Sequence, residues 1–134
     1  MPLPQTPSFR LDGRRALVAG ASSGIGRAAA VALAQAGARV TLLARQAYNL
    51  VLLQSEMRAE GLEADYLALD ICDTAKMEST LAAQAPYEIL VNSAGLARHS
   101  PALQTIESDY DAVTNVNVKA AYFLTRAVAK SLVG

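Results

Sequence analysis

Four apolar runs recur along the chain, and helix-favouring stretches follow them. The runs are ALVAG at 16–20, ARVTLLA at 38–44, EADYLALD at 63–70 and YEILVNSAG at 87–95. Short apolar runs bounded by glycine or polar residues are typical of buried strands. The pattern therefore predicts four strands, each separated from the next by a helical segment. The fourth is predicted to run into a turn of small residues within 87–95.

Helices are predicted between these strands and after the last one, over residues 25–36, 48–60, 74–84 and 105–133. Gly37 and Gly61 stand where C-terminal caps of the first two helices belong. The hydroxyl of Thr74 is expected to cap the start of the third. Thr105 and Ser108 give only a weak signal for where the last helix begins.

The strict alternation of strands and helices predicts an α/β fold of three layers. Such alternation favours a parallel sheet, here of about four strands, with right-handed crossovers and helices on both faces. Residues 1–10 carry prolines, which cannot donate to a strand ladder, and are predicted to form a flexible tail. Residues 11–134 are then expected to form one domain.

The second predicted helix has an unusual run of four consecutive apolar residues, Leu50 to Leu53. A surface helix normally shows one apolar stripe, whereas four consecutive residues point to all sides. The helix has gained a partner, or its sequence was altered by design or drift, or it is simply more buried than usual. The pattern leaves these alternatives open.

Composition narrows the classes of partner. Twelve basic residues balance 12 acidic ones, which argues against a nucleic acid or a charged membrane surface as the binding partner. The one cysteine, Cys72, and the one histidine, His99, have no metal-ligand spacing around them. No apolar run reaches membrane-spanning length, and MPLPQTPSF lacks the apolar core of a signal peptide. We therefore expect a cytoplasmic protein without a metal.

A glycine-rich turn, VAGASSGIG at 18–26, joins the first predicted strand to the first helix. In this context Gly20 permits a tight turn, Gly24 lets the backbone approach a pyrophosphate, and Gly26 lets helix and strand pack closely. The free amides at Ile25 and Gly26 would face the anion, and Ser22 and Ser23 lie in the same turn. The alternative is an ordinary strand-to-helix turn that binds nothing.

The spacing of these glycines resembles that of the short-chain dehydrogenase/reductase family. The resemblance rests on four features in order: AGASSGIG at 19–26, LD at 69–70, NSAG at 92–95 and NVNV at 115–118. It covers about residues 11–133. It implies a Rossmann-type dinucleotide-binding domain with strand order 3-2-1-4.

The resemblance also implies roles for single residues. Asp70 would hold the adenine of the cofactor, with Ile71 beside the ring. Asn117 matches a helix asparagine that supports the catalytic proton relay through a water. A strand-end or helix-capping carboxylate is the alternative for Asp70, and a helix-interior residue for Asn117. Residues expected to line the ribose side of the cofactor are Asn92, Ala94 and Gly95.

The end of the second strand indicates which nicotinamide cofactor is bound. A carboxylate there would accept hydrogen bonds from the ribose 2′-hydroxyl of NAD, but this chain has Ala44 followed by Arg45. The guanidinium of an arginine suits a 2′-phosphate, and Ser23 could add a hydroxyl donor. NADP(H) is therefore favoured over NAD(H). The alternative is that Arg45 is a solvated charge.

Several features depart from the family pattern. Ala19 replaces a threonine, and Ser93 replaces the second asparagine of the usual NNAG. None of the five tyrosines has a lysine four residues later, although the family's acid/base chemistry needs that pair and a serine. The resemblance thus implies a truncated enzyme, the NADP(H)-binding portion of an oxidoreductase that acts on a carbonyl or alcohol. The alternative is a non-catalytic or engineered fragment that binds dinucleotide or self-associates.

Self-association of this chain is also expected. EILVN at 88–92 would form an apolar strand at the sheet edge, and VKAAYFLTRAVAKSLV at 118–133 is apolar on more than one face. We therefore expect a homodimer or a higher homo-oligomer that covers the last helix and this strand edge.

Overall fold

A computed structural model describes residues 1–133 of the chain. The strands are β1 (Arg15–Ala19), β2 (Arg39–Ala44), β3 (Ala64–Ala68) and β4 (Ile89–Asn92). The helices are α1 (Gly24–Gln35), α2 (Ala47–Ala59), α3 (Thr74–Ala82), α4 (Glu107–Thr114) and α5 (Ala121–Val133). A π-helical segment, Asn115–Ala120, joins α4 to α5, and a single 3₁₀ turn covers Ala102–Gln104.

The strands form one parallel sheet in the order β3-β2-β1-β4. In the register of the sheet, Val18 lies opposite Leu42 on one side and Val91 on the other. The predicted α/β class, the parallel sheet and the strand order are therefore confirmed.

Alternate residues of β1 enter two separate cores, which explains the three layers. Ala16 and Val18 pack with α1 and α2 on one face of the sheet. Leu17 and Ala19 pack with α3 and α5 on the other face. Because both of its faces are covered, β1 is buried continuously from Ala16 to Ala19 rather than at alternate residues. The edge strand β3 instead exposes Asp65 and Tyr66.

The turn of small residues predicted at the end of the YEILVNSAG run begins directly after Asn92, where β4 ends. The reason is local, since the Oδ1 atom of Asn92 accepts a hydrogen bond from the N–H of Ala94 at 3.1 Å and turns the chain. The turn brings Ser93 and Ala94 over the end of the neighbouring strand β1, where Ser93 N–H donates to the carbonyl of Ala19 at 2.9 Å.

The predicted cap of α3 is wrong by one residue. Asp73 precedes the helix, and its carboxylate accepts a hydrogen bond from the N–H of Lys76 at 3.3 Å. Thr74 is the first residue of the helix itself. Aspartate is at least as good a cap as threonine, so the local competition favours Asp73.

The predicted helix over 105–133 is divided. It begins at Glu107, after Ile106, which makes no side-chain capping bond, so neither Thr105 nor Ser108 caps it. The wider turn at Asn115–Ala120 then interrupts the regular α-helix. Such π-helical turns are rare and occur often at functional sites.

The apolar run of α2 divides between core and solvent. Leu50 and Leu53 are buried, whereas Val51 and Leu52 remain 39% and 47% exposed. The helix is therefore not buried on all sides, and its outer face keeps two apolar side chains. None of the helices within residues 1–133 is long and apolar enough to cross a lipid bilayer.

Residues 1–10 lie outside the helices and strands, and their side chains are exposed. Arg10 nevertheless contacts the domain, because its guanidinium donates to the carbonyl of Gln35 at 3.1 Å and to Asp12 at 2.8 Å. The division of the chain after residue 10 stays a prediction.

Candidate functional site

A cleft of about 510 Å³ opens where the strands end at their carboxyl termini. In parallel α/β sheets, ligands bind in the crevice outside these strand ends, where the strand order reverses. The reversal here lies between β1 and β4. The cleft is lined by these residues that the sequence predicted: Gly20, Ser22, Ser23, Arg45, Asp70, Ile71, Ala94 and Gly95.

The glycine turn is packed so tightly that side chains are excluded at two positions. Gly20 has a φ of 74°, and a Cβ atom on it would lie 2.6 Å from the backbone nitrogen of Ala94. A Cβ atom on Gly26 would overlap the carbonyl oxygen of Gly20 and lie 2.7 Å from its carbonyl carbon. The two glycines thus let α1 and the loop after β4 meet at the end of β1.

The first turn of α1 presents unused hydrogen-bond donors. The helix starts at Gly24 after Ser23, whose side chain makes no capping bond, and its first turn contains no acidic residue. The first N–H groups of a helix have no partner within it, and they carry the positive end of the helix dipole. Gly24, Ile25 and Gly26 lie outside the cleft lining, and the Ile25 side chain is exposed. Gly24 and Gly26 can therefore offer a ligand only their backbone.

Arg45 follows β2 and lies at one corner of the cleft with Gln46 and Asn49. It is exposed, and the ion pairs within residues 1–133 use other arginines. Two cationic side chains, Arg45 and Arg98, and one carboxylate, that of Asp70, belong to the described cleft lining. Gln46 and Asn49 are neutral and Arg98 is paired with Asp109, so the positive charge at this corner is that of Arg45.

The loop after β3 forms another part of the cleft wall. The Oδ1 atom of Asp70 accepts a hydrogen bond from the N–H of Cys72 at 2.9 Å, which closes a tight turn. The helix cap is Asp73, so the alternative that Asp70 caps α3 is wrong. Ile71 is buried against the core beneath it. Burial, together with the charge and hydrogen bond of Asp70, raises the pKa of the Cys72 thiol.

The predicted asparagines support the cleft from outside its lining. The carboxamide of Asn92 is directed at the Ala94 N–H and shapes the turn that carries Ala94 and Gly95. Asn117, in the π-helical segment, holds Leu96, the residue after Gly95, because its carboxamide bonds to both the N–H and the carbonyl of Leu96. Neither asparagine lines the cleft.

Sequence reasoning missed several residues of the cleft, namely Gln46, Asn49, Cys72, Leu96, Arg98 and Val116. Gln46 and Asn49 lie one and four residues after Arg45. Because α2 begins between them, its first turn brings Asn49 back to the side of the chain on which Arg45 lies. That spacing was the available signal. Arg98 lies on an irregular loop, held by an ion pair with Asp109 at 2.8 Å, and periodicity carries no information there.

Comparison with known proteins agrees with this geometry. A family model described as short chain dehydrogenase matches residues 14–134. D-erythrulose reductase from Gallus gallus is 42% identical over 127 residues, which cover 95% of this chain and 50% of that protein. Gluconate 5-dehydrogenase from Gluconobacter oxydans is 40% identical over 129 residues, which cover 93% of this chain and 50% of that protein.

A solved structure of gluconate 5-dehydrogenase from Burkholderia cenocepacia, in complex with NADP and tartrate, superposes with a TM-score of 0.87 at 34% identity. The match covers 93% of this chain and 51% of that one. The chain therefore spans about half the length of the relatives it matches. From its family model, its sequence identity and its fold, the chain belongs to the short-chain dehydrogenase/reductase family.

Proposed function

We propose that this chain is the NADP(H)-binding portion of a short-chain dehydrogenase/reductase that transfers hydride between a nicotinamide cofactor and a carbonyl or alcohol carbon. One observation carries the proposal: Gly20, Ser22 and Ser23 of the glycine turn line the same cleft as Arg45. The first offers backbone donors to a pyrophosphate, and the second offers a guanidinium to a 2′-phosphate.

The residues of the cleft fit a dinucleotide. Its volume falls within the range of about 300–1,000 Å³ that ligand pockets occupy. A Cβ atom on Gly24 would meet no atom within 4 Å, so the outer side of the turn is open to an anion. The turn is closed on its inner side, where Gly20 and Gly26 touch the backbone.

Each part of the cofactor has a candidate partner. The amides of the α1 first turn and Ser22 would hold the pyrophosphate, and Arg45 with Ser23 would hold the 2′-phosphate. Asp70 and Ile71 would contact the adenine. When bound, the nicotinamide supplies or accepts the hydride. Residues proposed to border the ribose of the nicotinamide half are Ala94 and Gly95, whose backbone Asn92 positions.

The relatives support the proposed reaction class, because their names describe reduction or oxidation of sugars, polyols and sugar acids. Solved relatives contain NADP or NADPH. The 134 residues include no Tyr-x-x-x-Lys pair, so we expect them to bind dinucleotide but not to transfer hydride. Asn117 is proposed as a positioning residue for the proton relay, since its side chain holds Leu96.

We further propose a homo-oligomer. Val118 and Tyr122 are 61% and 65% exposed, and they border a shallow groove on α5 with Ala121 and Thr125. Within the described part of the sheet, β4 pairs with β1 alone. A second copy would cover both surfaces. A cytoplasmic location is proposed because a reducing compartment suits the exposed free thiol of Cys72.

A binding titration tests the cofactor proposal. NADPH fluorescence is followed as the chain is added, with NADH in parallel, for the wild type, Arg45→Asp and Lys76→Asp. Lys76 is an exposed residue of α3 outside the cleft, and its substitution changes the charge by the same amount.

We expect the wild type to prefer NADPH. Arg45→Asp should lose at least tenfold in NADPH affinity, about 1.4 kcal/mol, while Lys76→Asp should resemble the wild type. Absence of binding at millimolar cofactor would refute the cofactor assignment for this chain. Equal affinity for NADPH and NADH would refute the role of Arg45.

A further inference from the structure

We propose that Asn49 is a second residue that distinguishes the 2′-phosphate of NADP from the 2′-hydroxyl of NAD, an inference that rests on the proposed NADP(H) site. Nothing in the sequence pattern assigned a role to Asn49. Its place in the cleft, and the chemistry of its carboxamide, point to this one.

The connection between β2 and α2 puts Asn49 beside Arg45. The strand ends at Ala44 and the helix begins at Ala47, so only two residues separate these elements. Leu50 and Leu53 of α2 are buried against the sheet, and this fixes the rotation of the helix about its axis. With that rotation Asn49 faces the cleft, of which Arg45 and Gln46 also form part.

Asn49 is free to bind a ligand. It is exposed, and the hydrogen bonds of α2 side chains within the described residues are made by Gln54, Glu56 and Arg58. The first turn of α2 contains no acidic residue. The carboxamide of Asn49 can therefore bind a phosphate without first breaking another hydrogen bond, and no carboxylate lies on its own helical turn.

The chemistry of the corner suits a phosphate monoester. Arg45 supplies a planar fork of donors, which cannot satisfy all the oxygens of a phosphate by itself. The NH₂ group of Asn49 adds two neutral donors. A carboxylate at position 49 would instead repel a 2′-phosphate but could still accept from a 2′-hydroxyl, because the sign of its charge matters only for the phosphate.

The test compares Asn49→Asp and Asn49→Ala with Ser55→Asp. Ser55 is an exposed α2 residue outside the cleft, so its variant adds the same charge to the same helix. Affinities for NADPH and NADH are measured by fluorescence. The fragments 2′,5′-ADP and 5′-AMP are measured by calorimetry, since they differ at the 2′ position and do not need the nicotinamide. Thermal unfolding is recorded for every variant.

Asn49→Asp is expected to fold, because a negative charge in the first turn of a helix interacts favourably with the helix dipole. It should lower the affinities for NADPH and 2′,5′-ADP by about tenfold or more. The affinities for NADH and 5′-AMP should change by less than about threefold. Asn49→Ala should also lower the affinity for the two ligands with a 2′-phosphate, NADPH and 2′,5′-ADP, but by a smaller factor. Ser55→Asp should match the wild type.

The failures are distinguishable. A wild-type chain that binds none of the four ligands refutes the proposed NADP(H) site itself. A wild type that prefers NADPH, with Asn49→Asp keeping the same NADPH-to-NADH ratio, refutes only the role of Asn49. Equal losses of both cofactors in the two Asn49 variants also overturn it, because such losses would mean that Asn49 does not recognise the 2′ substituent.

Discussion

Asn117 holds Leu96 through both ends of its carboxamide. Its Nδ2 atom donates to the Leu96 carbonyl at 2.8 Å, and its Oδ1 atom accepts from the Leu96 N–H at 2.9 Å. Leu96 follows Ala94 and Gly95 on the wall of the cleft. The π-helical segment is thereby tied, across 21 residues of sequence, to the loop that would border the nicotinamide half of a cofactor.

Asn117→Asp should loosen this loop. The carboxylate can still accept from the Leu96 N–H, but it loses its donor and places a negative oxygen against the Leu96 carbonyl. We expect a loss of about 1–3 kcal/mol in the free energy of unfolding and faster hydrogen exchange at residues 94–98. Asn115→Ala, at an exposed position of the same segment, is the control. Unchanged exchange in Asn117→Asp would contradict the clamping role.

Gly26→Ala should destabilise the fold through backbone overlap alone. Its Cβ atom would overlap the Gly20 carbonyl, which belongs to the backbone and cannot rotate away. We expect a loss of about 3 kcal/mol or more in urea unfolding. Gly24→Ala is the comparison, because that site is open but has a φ of 58°, a conformation that costs about 1–2 kcal/mol. Equal stabilities of the two variants would contradict the steric account.

Cys72 offers a chemical probe of the cleft. It is the one cysteine of the chain, and it lines the cleft beside Asp70. The thiolate is the reactive form, and the pKa of this thiol is raised by its partial burial and by Asp70. Alkylation by iodoacetamide at pH 8 should therefore be slower in the folded chain than in urea, and the folded rate should keep rising as the pH increases further.

NADPH should protect the same thiol. At ten times its dissociation constant, the ligand leaves about one chain in eleven free, so the alkylation rate should fall by about tenfold. N-acetylcysteine, treated in the same way, controls for any effect of NADPH on the reagent. An unchanged rate at saturating NADPH would mean that the cofactor does not cover this part of the cleft.

Tyr122→Glu should disrupt the proposed oligomer. The substitution places a charge on the wall of the exposed groove of α5, where a partner would have to desolvate it. Light scattering after size exclusion should show an oligomeric wild type at micromolar concentration and a smaller species for the variant. Tyr110→Glu, at a similarly exposed tyrosine of α4, is the control. A monomeric wild type would exclude this interface.

Patterns of neighbouring residues predicted much of the fold, because secondary structure depends mainly on interactions between residues close in sequence. Apolar runs must be buried, and alternating strands and helices favour a parallel sheet, so the α/β class and the four strands followed from the sequence. The resemblance to the family supplied the strand order. The cap of α3 was predicted wrongly because neighbouring residues, Thr74 and Asp73, compete there on a small energy difference.

The sequence by itself determined that a glycine turn would follow the first strand and that Arg45 would follow the second. Only the tertiary structure decided that these two features share a cleft with Asn49, and that Asn117 acts on Leu96 rather than lining the cleft. The physical reason is that a hydrogen bond or a cleft wall depends on distances in space. Between residues such as Leu96 and Asn117, those distances are set by how the sheet and helices pack.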